Sequence, residues 1–150
     1  MGRVINIIVD ASGSMAEDDK NAVVKYLINS ICNVKQTKEF YDVEFVLFQW
    51  GSNSVRFENI ENAKLEFKGK TSYDDFKQIE DEIEYEFPMI LISDGGFSKK
   101  DKVKIEKLSK QIIPIFIGID ANKAILKDIA TDKVVYSVPD FMQALVEAKV

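Results

Sequence analysis

Histidine is absent from this chain, and cysteine occurs once, at Cys32. Without those side chains a structural zinc site lacks its usual ligands. Neither a Ser-His-Asp nor a Cys-His catalytic apparatus can be assembled within the chain. A single thiol forms no intrachain disulfide, which suits a reducing compartment. Cys32 lies beside Ile28 and Ile31 and reads as a small core residue. No apolar run approaches the roughly 20 residues needed to span a bilayer. The first residues lack the charged, apolar and small-residue order of a secretory signal. Asn6 stands where a myristoylation signal wants Ser or Thr. The expectation is a soluble, cytoplasmic chain, although a stretch cut from a longer protein would read the same. Basic residues are also in deficit: 20 against 25 acidic ones, a net charge of −5. An acidic chain does not attract a polyphosphate backbone, so nucleic acid is not an expected partner.

What is present is enough for one compact domain, 1–150. A chain of this length buries roughly 68–70% of its unfolded surface without needing disulfides. The hydrophobic fraction, 46%, is ordinary for a globular protein. No repeat, low-complexity tract or linker interrupts it.

Val4 to Val9 is a short β-branched run that reads as a strand buried on both faces. A helix is predicted from Met15 or Asp18 to Lys35, with Val23, Leu27, Ile31 and Val34 as its apolar stripe. Val43 to Trp50 is a second strand. Gly51 to Ser54 is a turn, and Ser54 to Phe57 returns as a hairpin strand. Leu65 and Phe67 alternate with charged residues, as in a short edge strand. Tyr73 to Glu84 is helical, with Phe76, Ile79 and Ile83 on one side. Phe87 to Ser93 is a buried strand. Lys99 to Lys110 is a charged helix whose run of lysines reads as a solvated face. Ile112 to Ile119 is a further core strand despite Pro114. Ala121 to Ala130 reads as a helix and Val134 to Val138 as a strand. Pro139 opens a last helix faced by Phe141, Leu145 and Ala148. Alternating helices and continuous apolar strands indicate an α/β fold, doubly wound. Its central sheet is mostly parallel, flanked by helices on both faces, with one antiparallel edge strand.

In such folds ligands bind outside the carboxyl ends of the strands. The first strand is followed by Asp10-Ala11-Ser12-Gly13-Ser14, and the 87–93 strand by Asp94-Gly95-Gly96. Between them lies the polar loop Gly69-Lys70-Thr71-Ser72. All three are expected at one edge of the sheet. The side chains there are oxygen-only, two carboxylates and several hydroxyls, a set that hard divalent cations prefer. Neutral hydroxyl ligands would leave a cation electron-poor and receptive to an outside carboxylate.

On these residues the sequence resembles the von Willebrand factor A domains. Asp10-Ala-Ser12-Gly-Ser14 matches their DxSxS element, placed directly after the first strand. The resemblance implies a metal-ion-dependent adhesion site. In it Ser12, Ser14 and Thr71 would ligate Mg²⁺, Mn²⁺ or Ca²⁺, and Asp94 would complete the site. Asp10 would hold the ion directly or through water and orient both serines. Gly-Lys-Thr departs from the commoner Gly-Gly-Thr, which leaves Ser72 as a rival to Thr71. The chain is short for that family, so small loops are expected around the ion. The implied function is metal-dependent protein binding, without catalysis, to a partner that supplies Asp or Glu. Small stand-alone relatives of this kind include bacterial ones linked to tellurite resistance and stress.

Plainer readings exist for each part. Ser14-Met-Ala-Glu17, Ser72-Tyr-Asp-Asp75 and Ser98-Lys-Lys-Asp101 each have the form of a helix-capping box. Asp94-Gly95 alone is a turn. Asp10 is harder to dismiss, because a carboxylate ending a buried strand is costly unless paired. Trp50 reads as a packing residue near the same edge. The alternative function is a Mg²⁺-dependent phosphohydrolase or phospho-acceptor using Asp10. Dehalogenase-like enzymes, however, want an aspartate where Ser12 stands, and the acidic pair of receiver domains is missing. A degenerate domain that binds partners without metal is the third reading.

Overall fold

The computed structural model describes residues 3–52, 54–84, 87–108 and 110–149. Its frame is a five-stranded sheet. The strands are β1 (Arg3–Asp10), β2 (Val43–Trp50), β3 (Val55–Phe57), β4 (Met89–Ser93) and β5 (Ile112–Phe116). The spatial order is β3-β2-β1-β4-β5, with every pairing parallel except the β2–β3 hairpin. The centre of that hairpin's turn, Asn53, lies outside the described residues.

Among the described residues five α-helices cover the sheet: α1 (Lys20–Val34), α2 (Tyr73–Glu82), α3 (Lys99–Glu106), α4 (Lys123–Ile129) and α5 (Phe141–Ala148). Successive side chains of a strand point to opposite faces, and this splits the core in two. Ile5, Ile7 and Val9 join Phe45, Leu47, Ile90 and Ile92 beneath α1 and α5. Ile8 joins Phe48, Trp50 and Leu91 beneath α2, α3 and α4. Both faces of the central strands are therefore largely dry, which is why they read as nearly continuous apolar runs, with Asn6 in β1 as a buried exception. The α/β fold class expected from the sequence is the one observed.

Several boundaries differ from expectation. Asp18 and Asp19 take left-handed φ values of 51° and 61°. This delays α1 to Lys20, and Gly13–Ala16 forms a separate 3-10 turn. The buried stripe of α1 runs through Val24 rather than Val23. Leu65 and Phe67 lie in no strand. Their segment bonds instead through Glu66 N–H to the Gln49 side chain and Lys68 N–H to the Ala11 carbonyl. β5 stops at Phe116, and Ile119 stands fully exposed on the next loop. Pro114 is tolerated because β5 is an edge strand. Val134 to Val138 shrinks to a single bridge between Tyr136 and Ile115. Helix α3 ends at Glu106, and Ser109 falls outside the described residues. Lys110 does not face water: it is buried, donating to the Glu80 and Ile83 carbonyls and pairing with the Glu80 carboxylate. Ser72 and Ser98 are helix caps as expected, accepting from the N–H groups of Asp75 and Asp101. Among the described residues no helix is long and apolar enough to cross a membrane.

Candidate functional site

From β1 the chain crosses to β2 on one side, and β4 pairs on the other. The winding direction changes between the carboxyl ends of β1 and β4, the place where such sheets bind ligands. Asp10 ends β1 and Asp94 follows β4, so the two carboxylates flank that crevice.

Asp10 is fully buried. Its Oδ1 accepts the Ser12 N–H at 3.0 Å, and its Oδ2 accepts the Ser93 hydroxyl at 2.6 Å. Burial pushes its pKa up to about 6 from 3.8, although the bonds from Ser93 and Ser12 pull the other way. Above the carboxylate Ser12 Oγ and Ser14 Oγ stand 3.0 Å apart. Ser14 donates to Asp94 Oδ2 at 2.8 Å. Asp94 Oδ1 accepts the Gly96 N–H at 2.9 Å. Gly95, at φ 73°, makes the tight turn after Asp94 that brings the Asn122 N–H onto the Asp94 carbonyl.

The third segment arrives by backbone bonds. Gly13 N–H donates to the Gly69 carbonyl, and Lys68 N–H to that of Ala11, both at 2.9 Å. From below, the Trp50 indole N–H donates to the Ser72 carbonyl at 2.8 Å. Trp50 is packed between Phe76 and Phe97. It is thus a packing residue, as the sequence suggested, and also a clamp on the loop next to Thr71. Ser12, Ser14, Lys70, Thr71 and Phe97 share the wall of an open cavity of about 520 Å³. Ser72 caps α2, bonding Asp75 with both its acceptor and its donor, and of the two loop hydroxyl residues it is Thr71 that lines the cavity.

All five residues proposed from the sequence therefore meet at one edge. Two roles differ from expectation. Asp10 engages Ser12, through its backbone N–H and its side chain, while Asp94 rather than Asp10 is the carboxylate that holds Ser14. Ser14 does not act as a cap through its side chain; its hydroxyl is spent on Asp94 and Ser12. Three residues were missed. Ser93 bridges Asp10 and the Gly95 N–H. Its signal was its place before Asp94, but a hydroxyl at a strand end carries no role by itself. Lys20 and Asp120 were missed as well. Lys20 Nζ lies 3.1 Å from Asp94 Oδ2 and 3.0 Å from Asp120 Oδ1. Lys20 precedes Val24 and Leu27 by one and two helical turns, so it extends the buried stripe of α1. Its sequence neighbours, Asp18 and Asp19, disguise it as part of a solvated charge run.

Among the described residues, no three carboxylate, thiol or imidazole side chains gather as a metal cluster. The donor set is instead two carboxylates behind three hydroxyls. That composition fits a hard cation, since it offers only oxygen. Both carboxylates are already fixed by hydrogen bonds, so the cavity meets the hydroxyl oxygens first.

No protein-family model matches the chain, and no curated protein matches it. Solved structures do. An aerotolerance-related membrane protein from Bacteroides fragilis, with several mutations to serine, superposes with a TM-score of 0.73 at 14% identity, covering 98% of both chains. The ArnB paralog VWA2 from Sulfolobus acidocaldarius gives 0.65 at 22% identity over 99% of this chain and 45% of that one. The manganese-loaded TRAP protein of Plasmodium vivax gives 0.65 at 16% identity over 99% of this chain and 74% of that one. The chain thus spans under half of the Sulfolobus protein and nearly all of the Bacteroides one. Sheet order, the crevice at the ends of β1 and β4, and these superpositions agree: the chain has the fold of a von Willebrand factor A domain.

Proposed function

We propose that the chain is a binding module that holds one divalent cation on Ser12, Ser14 and Thr71. The cation's open position would take an Asp or Glu from a partner protein. Asp10 and Asp94 supply the charge that retains it. The observation that carries this reading is the 3.0 Å separation of Ser12 Oγ and Ser14 Oγ. Adjacent ligands of an octahedral ion at ~2.1 Å lie about 3.0 Å apart, the dimension of Mg²⁺ or a similar ion. The manganese carried by the Plasmodium protein of like fold supports the same reading.

Binding is favoured over catalysis by the enclosure of Asp10. Both its oxygens are occupied and its side chain is fully buried, so it is poorly placed to attack phosphorus. No histidine is present to serve as a base. A cation ligated by neutral hydroxyls keeps more of its charge for an incoming carboxylate than one ligated by anions.

The test is calorimetric titration with Mg²⁺ and Mn²⁺, with and without chelator. Saturable one-site binding is expected, lost in Ser12→Ala and Asp10→Ala while circular dichroism stays unchanged. Unaltered affinity in both variants would defeat the assignment. Acetyl phosphate should leave Asp10 unmodified by mass spectrometry; a phosphorylated Asp10 would favour the phospho-acceptor reading instead.

A further inference from the structure

Lys20 is the unusual member of the site. It is 3% exposed and occupies the first turn of α1. A cation at a helix N-terminus opposes the helix dipole, so local helix chemistry does not explain it. Burial disfavours its charge, yet the hydrogen bonds it donates to Asp120 and Asp94 more than offset this and hold its pKa above the ordinary value. Its two partners are unequal. The Asp94 side chain is 5% exposed, whereas that of Asp120 is 60% exposed and screened by water. The ammonium therefore acts chiefly on Asp94.

The side chain is also held in place. Gly118, at φ 93°, crosses over its stem so closely that an added Cβ would lie 2.7 Å from Lys20 Cε. The Asp94 oxygen that Lys20 grips is the one that accepts from Ser14. Two hydrogen bonds of 2.8 and 3.1 Å thus link Ser14 Oγ to Nζ through one oxygen. An ion seated on Ser14 would have this ammonium two hydrogen bonds away, with its charge shared between Asp94 and Asp120.

We propose that Lys20 is a positioning residue that limits how tightly the site holds a divalent cation. It fixes Asp94 toward Ser14 and at the same time cancels part of the carboxylate's charge. This inference rests on the metal-binding reading above. The consequence is a site organised before the ion arrives but weakened toward it, with more of the ion's charge left for an external carboxylate.

The experiment is titration of Mn²⁺ into the full chain and into Lys20→Met, which keeps the apolar stem and removes the charge. Affinity is expected to tighten by about tenfold or more, as the loss of a nearby like charge requires. A purely structural role for Lys20 would weaken binding or leave it alone, and either result overturns the proposal. Should Lys20→Met fail to fold, Lys20→Gln, which retains a donor toward Asp94, carries the same expectation. Binding by neither chain overturns the metal-binding reading and this proposal together. Equal binding by both overturns only the role of Lys20.

Discussion

Replacing Asp10 with asparagine is expected to stabilise the metal-free protein while destroying its site. The carboxylate is fully buried, and burial lifts its pKa from 3.8 to about 6. A shift of that size, about two units at 1.36 kcal/mol each, costs the folded state about 3 kcal/mol once the group is ionised. Because the folded pKa lies above the unfolded one, the cost is absent below about pH 4. It grows as the unfolded chain ionises first, and is complete above about pH 6. Asparagine keeps an acceptor for the Ser12 N–H but presents its amide to the Ser93 hydroxyl, which returns about 1 kcal/mol of the gain. The net expectation at pH 7.5 is about 1–3 kcal/mol. For a domain of this size that raises Tm by roughly 3–10 °C. Thermal melts monitored by circular dichroism in chelator, at pH 4 and pH 7.5, check both the size and the sign. The difference should be largest at the higher pH. With saturating Mn²⁺ the order should reverse, because only the wild-type chain gains from the ion. A variant that melts lower than wild type at pH 7.5 in chelator would refute the reasoning.

Further expectations concern the surroundings of the same edge. Cation affinity should fall as pH drops through about 6, where protons compete for Asp10, and calorimetry at pH 5 and 7.5 reads this. Trp50 is the sole tryptophan and clamps the loop beside Thr71, so its emission should shift on cation binding. Trp50→Phe removes one of the two donors on the Ser72 carbonyl, leaving the Phe76 N–H, and leaves space beside Phe76 and Phe97, so it should cost about 1–3 kcal/mol in urea melts. Gly95→Ala should be destabilising by about 2–3 kcal/mol, since φ is 73° and the new Cβ would lie 2.5 Å from the Asn122 carbonyl oxygen. Burial raises the pKa of the Cys32 thiol, so iodoacetamide should label it slowly in the native chain and quickly in urea.

Much of this was legible along the chain because the physics is local. The parallel sheet announced itself in Val4–Val9 and Met89–Ile92, whose apolar residues, broken only by Asn6, suit a strand covered on both sides. The caps at Ser72 and Ser98 followed from side chains reaching only three residues. The weaker expectations failed where the deciding contact was distant. Leu65 and Phe67 alternate like a strand, yet the backbone there is satisfied by Ala11 and the side chain of Gln49. The lysine-rich stretch from Lys99 reads as solvated, yet Lys110 is drawn inside by the carbonyls ending α2 and by Glu80.

What the sequence determined by itself is the fold class, and it named the residues Asp10, Ser12, Ser14, Thr71 and Asp94 that the structure gathers at one edge. Asp10, Ser12, Ser14 and Asp94 end or follow β1 and β4, and the winding of the sheet carries those ends to one edge; Thr71 precedes α2 and is brought there by backbone bonds of Lys68 and Gly69. What only the tertiary structure decided is the division of labour among them. Ser93 donates to Asp10 Oδ2, Asp94 steers Ser14, and Ser72 is committed to capping α2. The buried ammonium of Lys20 belongs to this second kind of knowledge. Hydrogen-bond partners and burial are set by segments some 70 to 100 residues apart in the chain, and no spacing pattern encodes a pairing over that distance.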